Sequence, residues 1–261
     1  HKVKLLFQPA EEGLAGARAM IDDGCLDGVD SIYGLHVWST LPFGEAALAP
    51  GAMMAATNSF NLKIFGKGGH AACPHETIDS SLIASQLTCN LQSIVSRNIN
   101  PNQPAVITVG SIKSGTTYNI IADSASILGT LRAMDSEVMA LLKSRFEEMV
   151  KFTCASHKAT YDLTYVSSYP ALLNDEHHTI HATNVLKDLL GKSNVKHETT
   201  MGGEDFAFYL KKIPGCFYFL GAGNLKKGCI YPHHHPKFAI DEDSLCLGVE
   251  TFARILETYP T

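Results

Sequence analysis

The chain has 261 residues, 45% of them hydrophobic and 18% charged, which is enough for one large domain or two ordinary ones with a real core. Its 26 acidic and 21 basic residues are scattered and give a net charge of −5, which argues against nucleic acid as the main partner; no run of about 18 apolar residues exists to cross a membrane. The seven cysteines are irregularly spaced with no C-x-x-C pair, which fits a reduced, cytoplasmic compartment better than a disulfide framework.

The chain opens on His1 and runs straight into the apolar stretch Val3 to Phe7, which predicts a buried strand in a chain that begins inside a domain. A turn through Gln8-Pro9-Ala10-Glu11-Glu12-Gly13 leads into a helix from about Leu14 to Asp23, stopped at Gly24. Ser31 to Leu35 predicts a second strand that ends in His36-Val37-Trp38. Strand, helix and strand in this order suggest a sheet with helical cover.

From Phe60 the rhythm changes. Alternation predicts a strand to Phe65, then a helix over about 78–97 with Ile83, Leu87, Leu91, Ile94 and Val95 as its apolar stripe. Strands follow at 105–112 and 124–131. A helix at 136–156 turns Val138, Leu141, Leu142, Met149 and Val150 inward, and a strand at 160–165 closes the set. This order is that of the split βαβ, ferredoxin-like unit, placed at residues 57–165. Beyond it come a helix at 178–190, a short helix at 205–210, a strand at 217–220 and a closing helix at 245–259 carrying Val249, Phe252, Ile255 and Leu256. The ferredoxin-like α+β unit thus reads as an insertion into an α/β, mixed-sheet domain built from residues 1–56 and 166–261.

Several groups could carry chemistry. Glu11 and Glu12 follow an apolar run and precede a helix. One could bind a cation while the other acts as a base, or both could simply favour the helix N-terminus. His36 follows a short strand and could be a metal ligand or a satisfied structural histidine. In His233-His234-His235-Pro236, neighbouring side chains of an extended segment point opposite ways, so one or two at most reach one site. Gly66-Lys67-Gly68-Gly69-His70-Ala71-Ala72-Cys73-Pro74-His75 lacks the spacing of a P-loop. Cys73 with His70 or His75 could form a nucleophilic pair, or be a buried, inert thiol. Asn119 and Arg132 flank the second strand pair, and Arg suits bidentate carboxylate recognition.

Taken in order, Gln8-Pro9-Ala10-Glu11-Glu12-Gly13, Gly34-Leu35-His36-Val37, the glycine-rich segment through His75, Glu204-Asp205-Phe206 and His234-His235-Pro236-Lys237-Phe238 resemble the aminoacylase/carboxypeptidase family of two-metal amidohydrolases. The likeness is closest to the hippurate hydrolase and indole-acetyl-amino acid hydrolase subgroup, and it covers essentially the whole chain.

The resemblance implies a metallopeptidase-like catalytic domain with an inserted lid and dimerisation domain. It implies hydrolysis of the amide bond of an N-acyl amino acid by a metal-activated water, with Glu11 as general base. Glu12, His36 and His234 would be metal ligands, and His70 would steady the oxyanion, often across a dimer. Asn119 and Arg132 would hold the substrate carboxylate. Two divalent ions (zinc, manganese, cobalt or nickel) would serve the complete protein, which would form a homodimer through the lid. The subgroup's Cys-Gly-His-Asp motif, which supplies further ligands upstream of the Glu-Glu turn, has no counterpart here, so a fragment of low activity is expected. The Glu204-Asp205-Phe206 segment matches the family without an implied catalytic role. The alternatives are a dipeptidase or carboxypeptidase of the same family, an inactive remnant serving as a dimerisation or binding module, and a hydrolase that uses Cys73.

Overall fold

A computed structural model of the chain describes residues 2–259. It divides into two compact units, one of residues His1–Met54 with Leu172–Thr261 and one of Ala55–Ala171.

The first unit is built on a mixed four-stranded sheet, with strands Ile32–Pro42, Gly215–Gly223, Ala46–Leu48 and Val195–His197 in that spatial order. Ile32–Pro42 runs parallel to Gly215–Gly223, and Ala46–Leu48 runs antiparallel to it. Gly215–Gly223 is buried along nearly its whole length. A continuous apolar run such as Cys216 to Leu220 is what a strand covered on both faces requires. Helices Glu176–Leu190 and Asp243–Glu257 pack on it. A short ladder pairs Leu172–Asn174 with Gly51–Met54. The buried Asn174 amide fixes it, donating to the carbonyls of Ala49 (3.0 Å) and Phe217 (2.9 Å) and accepting from the Phe217 N–H (2.7 Å).

Two expectations fail in this unit. Val3 to Phe7 forms no strand, and Val3, Leu5 and Phe7 are 55%, 73% and 86% exposed. A strand exists through its ladder, and this run pairs with none of the described strands. The closing helix buries Ser244, Gly248, Thr251 and Ile255, while Val249 points outward. Close approach decides this face: Gly248 sits against Leu35 and Leu220, and the Thr251 hydroxyl meets that of Tyr218 at 2.6 Å.

In the second unit the order is strand Ala56–Phe65, helix Ser80–Asn98, strands Ala105–Ser114 and Ser124–Ala133, helix Ser136–Ser156 and strand Thr160–Tyr169. The strands lie side by side as Ala105–Ser114, Ser124–Ala133, Ala56–Phe65, Thr160–Tyr169, each antiparallel to its neighbour. This is the strand order of a split βαβ unit. Both helices start on an aspartate cap: Asp79 accepts from the amides of Ser81 and Leu82, and Asp135 from those of Glu137 and Val138. Ile83, Leu87, Leu91 and Ile94 are fully buried, as their spacing predicts. In the second helix the inward row is Val138, Leu142, Phe146 and Val150, four residues apart. Leu141 lies about 100° off that row and is 41% exposed, against expectation. No helix among the described residues is long and apolar enough to cross a membrane.

Candidate active site

Glu11 and Glu12 lie in the turn Glu11–Leu14, directly before the helix Gly16–Asp22. Ala10 (φ 58°) and Ala15 (φ 51°) flank the turn in the left-handed region, which costs an L residue about 1–2 kcal/mol each. Among the described residues four non-glycines have positive φ, and one of the other two, His234 (φ 65°), belongs to the His-rich segment. Backbone outliers of this kind gather where the surrounding structure over-determines a functional loop.

The turn is held from a distance. A Cβ on Gly16 would lie 1.7 Å from the Pro9 carbonyl oxygen, so only glycine lets the Gln8-Pro9 backbone lie on the start of the helix. That helix has no side-chain cap of its own. Its Ala17 amide instead donates to Oδ2 of the fully buried Asp205 (3.0 Å), whose Oδ1 accepts from Gln8 Nε2 (2.7 Å). Phe206 locks this aspartate against the sheet: its ring lies where Gly34 would carry a side chain.

The acids of this region crowd one another. Burial first, then the charges of Asp205 and Glu12, raise the Glu11 carboxyl above its ordinary value; His234 pulls the other way, as does a hydrogen bond from the Asp205 backbone. Burial pushes Glu204 up to about 8, with the nearby Glu11 and Asp205 adding to it. Burial and the neighbouring acids thus favour the protonated form of Glu204.

His36 lies within the strand Ile32–Pro42 rather than at its end. Regular pairing with Gly215–Gly223 stops two residues later, at Trp38. The His36 Nδ1 lies 2.6 Å from the Val37 carbonyl. A carbonyl can only accept, so Nδ1 carries the hydrogen and Nε2 keeps a lone pair for a metal. His233 faces His36 with ring centroids 5.0 Å apart, and its Nε2 accepts from the Ser39 amide (3.2 Å). Burial, with His36 and His234 beside it, lowers its pKa. His235 stacks on Tyr231 and accepts from the Lys237 amide at Nδ1. Of the three consecutive histidines, only the exposed His234 has no side-chain hydrogen bond among the described residues.

Glu11, Glu12, His36, His233 and His234 thus share one electrostatic neighbourhood. Carboxylate and imidazole donors suit a divalent transition metal. Among the described residues, however, no three His, Cys, Asp or Glu side chains converge closely enough to hold an ion. The donor chemistry fits; the set is partial.

His70, Asn119 and Arg132 belong to the second unit. His70 is exposed in the two-residue strand Gly69–His70, paired with Ile120–Ile121, and the next amide, Ala71, donates to the Asn119 carbonyl (3.1 Å). His70 and Asn119 are therefore neighbours. Arg132, half-buried and held below its ordinary pKa by that burial, lies at the far end of strand Ser124–Ala133. At about 3.3 Å per residue the separation is on the order of 25 Å, so one copy of the unit cannot place Asn119 and Arg132 on the same carboxylate. The Cys73 thiol makes no hydrogen bond with His70 or His75 among the described residues; His70 Nδ1 accepts instead from the Ala72 amide (3.0 Å).

Sequence reasoning gave Gln8, Glu204 and Asp205 no role. Their motifs are visible in the sequence, but no periodicity pairs residues 197 positions apart.

The sequence model described as Peptidase family M20/M25/M40 matches residues 1–258. N-acetyl-L-cysteine deacetylase of Bacillus subtilis is 42% identical over 247 residues, covering 94% of this chain and 57% of that protein. Thermostable carboxypeptidase 2 of Saccharolobus solfataricus is 41% identical over 250 residues, covering 95% and 63%. The crystal structure of a dinuclear metal-binding peptidase from Bacillus subtilis superposes with a TM-score of 0.76 at 30% identity, covering 95% of this chain and 62% of that one. The chain spans less than two thirds of the length of these relatives.

Proposed function

The chain belongs to peptidase family M20/M25/M40, and from that premise we propose that the protein is a metal-dependent amidohydrolase that cleaves N-acyl amino acids, with Glu11 as general base. The observation that carries this reading is that Glu11, Glu12, His36 and His234 share one electrostatic neighbourhood, although the first and last of them lie more than 220 positions apart in the chain. The deacetylase relative supports the substrate class.

Glu12, His36 and His234 would hold a divalent ion, with the peptidase neighbour supporting a pair of them. Such an ion supplies a lowered water pKa and a polarised carbonyl. Glu11 takes a proton from the attacking water and passes it to the leaving amine. The Val37 carbonyl holds the hydrogen on His36 Nδ1, so Nε2 is left with the lone pair that a metal would need. His70 donates to the developing oxyanion, while Asn119 and Arg132 recognise the free carboxylate. Residues Ala55–Ala171 serve as lid and dimerisation domain in this reading, and residues His1–Met54 with Leu172–Thr261 as the catalytic domain. A homodimer reconciles the two ends of the lid: His70 and Asn119 of one copy meet the substrate held by Arg132 of the other.

The carboxypeptidase relative is nearly as similar as the deacetylase, so hydrolysis of a peptide next to its free carboxylate is the second reading. Turnover of N-acetyl amino acids and of unblocked dipeptides by the protein in its full natural length, with and without a chelator, separates the two. Preference for the acetylated substrates, lost on chelation, is the expected result.

A further inference from the structure

The geometry points to Asp205 as a positioning residue, whose carboxylate brackets the Glu11-Glu12 turn by holding Gln8 before it and Ala17 after it. This inference rests on the reading of Glu11 as the base.

The two oxygens of this buried carboxylate are divided between the two ends of the turn. Oδ1 takes the Gln8 side-chain amide at 2.7 Å, and Oδ2 takes the Ala17 main-chain amide at 3.0 Å. Between these anchors lie Ala10 and Ala15, both in the left-handed region. Neither residue favours that conformation, so the turn persists only while its ends are fixed. The Asp205 backbone also hydrogen-bonds the Glu11 carboxyl. One residue thus touches the base through its main chain and fixes the base's own loop through its side chain. Asp205 in turn is fixed by Phe206, packed on Gly34, and is nowhere exposed. It has no surface role to explain its charge, and helix Gly16–Asp22 has no other side-chain cap.

The hydrogen-bond polarity gives a test that a merely structural role would not pass. In Asp205→Asn, one side-chain oxygen becomes an NH2 group, and if Ala17 keeps the remaining oxygen that NH2 meets the donating NH2 of Gln8. Adding Gln8→Glu reverses the polarity of that arm while the net charge of the pair is kept. In the full-length protein, Asp205→Asn is expected to lower kcat on the order of a hundredfold with KM changed only a few fold, the loss that follows from misplacing a catalytic group by about 1 Å. Gln8→Glu/Asp205→Asn is expected to recover at least roughly tenfold of that loss. Hydrogen exchange at the Ala17 amide should speed up in the single variant and slow again in the double one. If Asp205→Asn does not fold, Gln8→Ala carries the test, with a smaller fall in kcat and faster exchange across residues 8–17. Unchanged kcat in the folded single variant, or no recovery in the double variant, overturns the inference. Failure of the base assignment has a different signature: Glu11→Gln would then keep its turnover, while Ala17 exchange would still respond to Asp205.

Discussion

Trp38 meets His36 edge to face, with ring centroids 5.4 Å apart and planes at 79°. It is the single tryptophan of the chain, and it also contacts His233 at 4.8 Å and stacks on Phe219 at 4.2 Å. A reporter is therefore built into the proposed metal site. Titration with cobalt(II) should quench the Trp38 fluorescence saturably. His36→Ala and Glu12→Gln should each weaken that response about tenfold or more, the usual cost of losing a ligand or its orienting partner. Equal quenching in wild type and both variants would remove these residues from the metal site.

The distance between the two ends of the second unit's sheet sets up a complementation test of the proposed homodimer. His70→Ala and Arg132→Ala should each be nearly inactive as pure dimers. Mixed at random by co-expression, half the dimers are hybrids, each with one site that has an intact His70 and an intact Arg132. The mixture should regain roughly a quarter of wild-type activity. No recovery, in a sample shown by mass spectrometry to contain hybrids, would mean that no site draws these residues from two copies.

Glu204 makes stability depend on pH. Its folded pKa of about 8 lies above the unfolded value near 4.5, so the folded state binds more protons between those values. Stability is full below the unfolded pKa and falls as pH rises through the folded one. Glu204→Gln should be roughly neutral at pH 5 and more stable than wild type at pH 8.5 by about 1–3 kcal/mol. Urea unfolding at the two pH values measures this. An equal effect at both would show that Glu204 is ionised throughout.

Much of the second unit was legible because its signals are local. Asp135 announces the helix Ser136–Ser156 within three residues, and Ile83, Leu87, Leu91 and Ile94 repeat on one face. What failed depends on partners distant in sequence. Val3 to Phe7 has the composition of a strand but no ladder among the described residues. Val249 has the right period for a core position, but the close seat of Gly248 on Leu35 and Leu220 turns a different face inward. Glu11, Glu12, His36 and His234 could be picked from their motifs. Asp205 could not, because its work is to join Gln8 to Ala17 across a separation that only the folded chain closes.

The most direct test of the account is Glu11→Gln in the protein at its full natural length, measuring turnover of an N-acetyl amino acid and bound metal on the same sample. The amide keeps the shape of the side chain and removes its ability to accept a proton from water. We predict a fall in kcat of about 10²–10⁴-fold with metal content unchanged. Turnover near the wild-type rate with full metal content would contradict the assignment of Glu11 as the base.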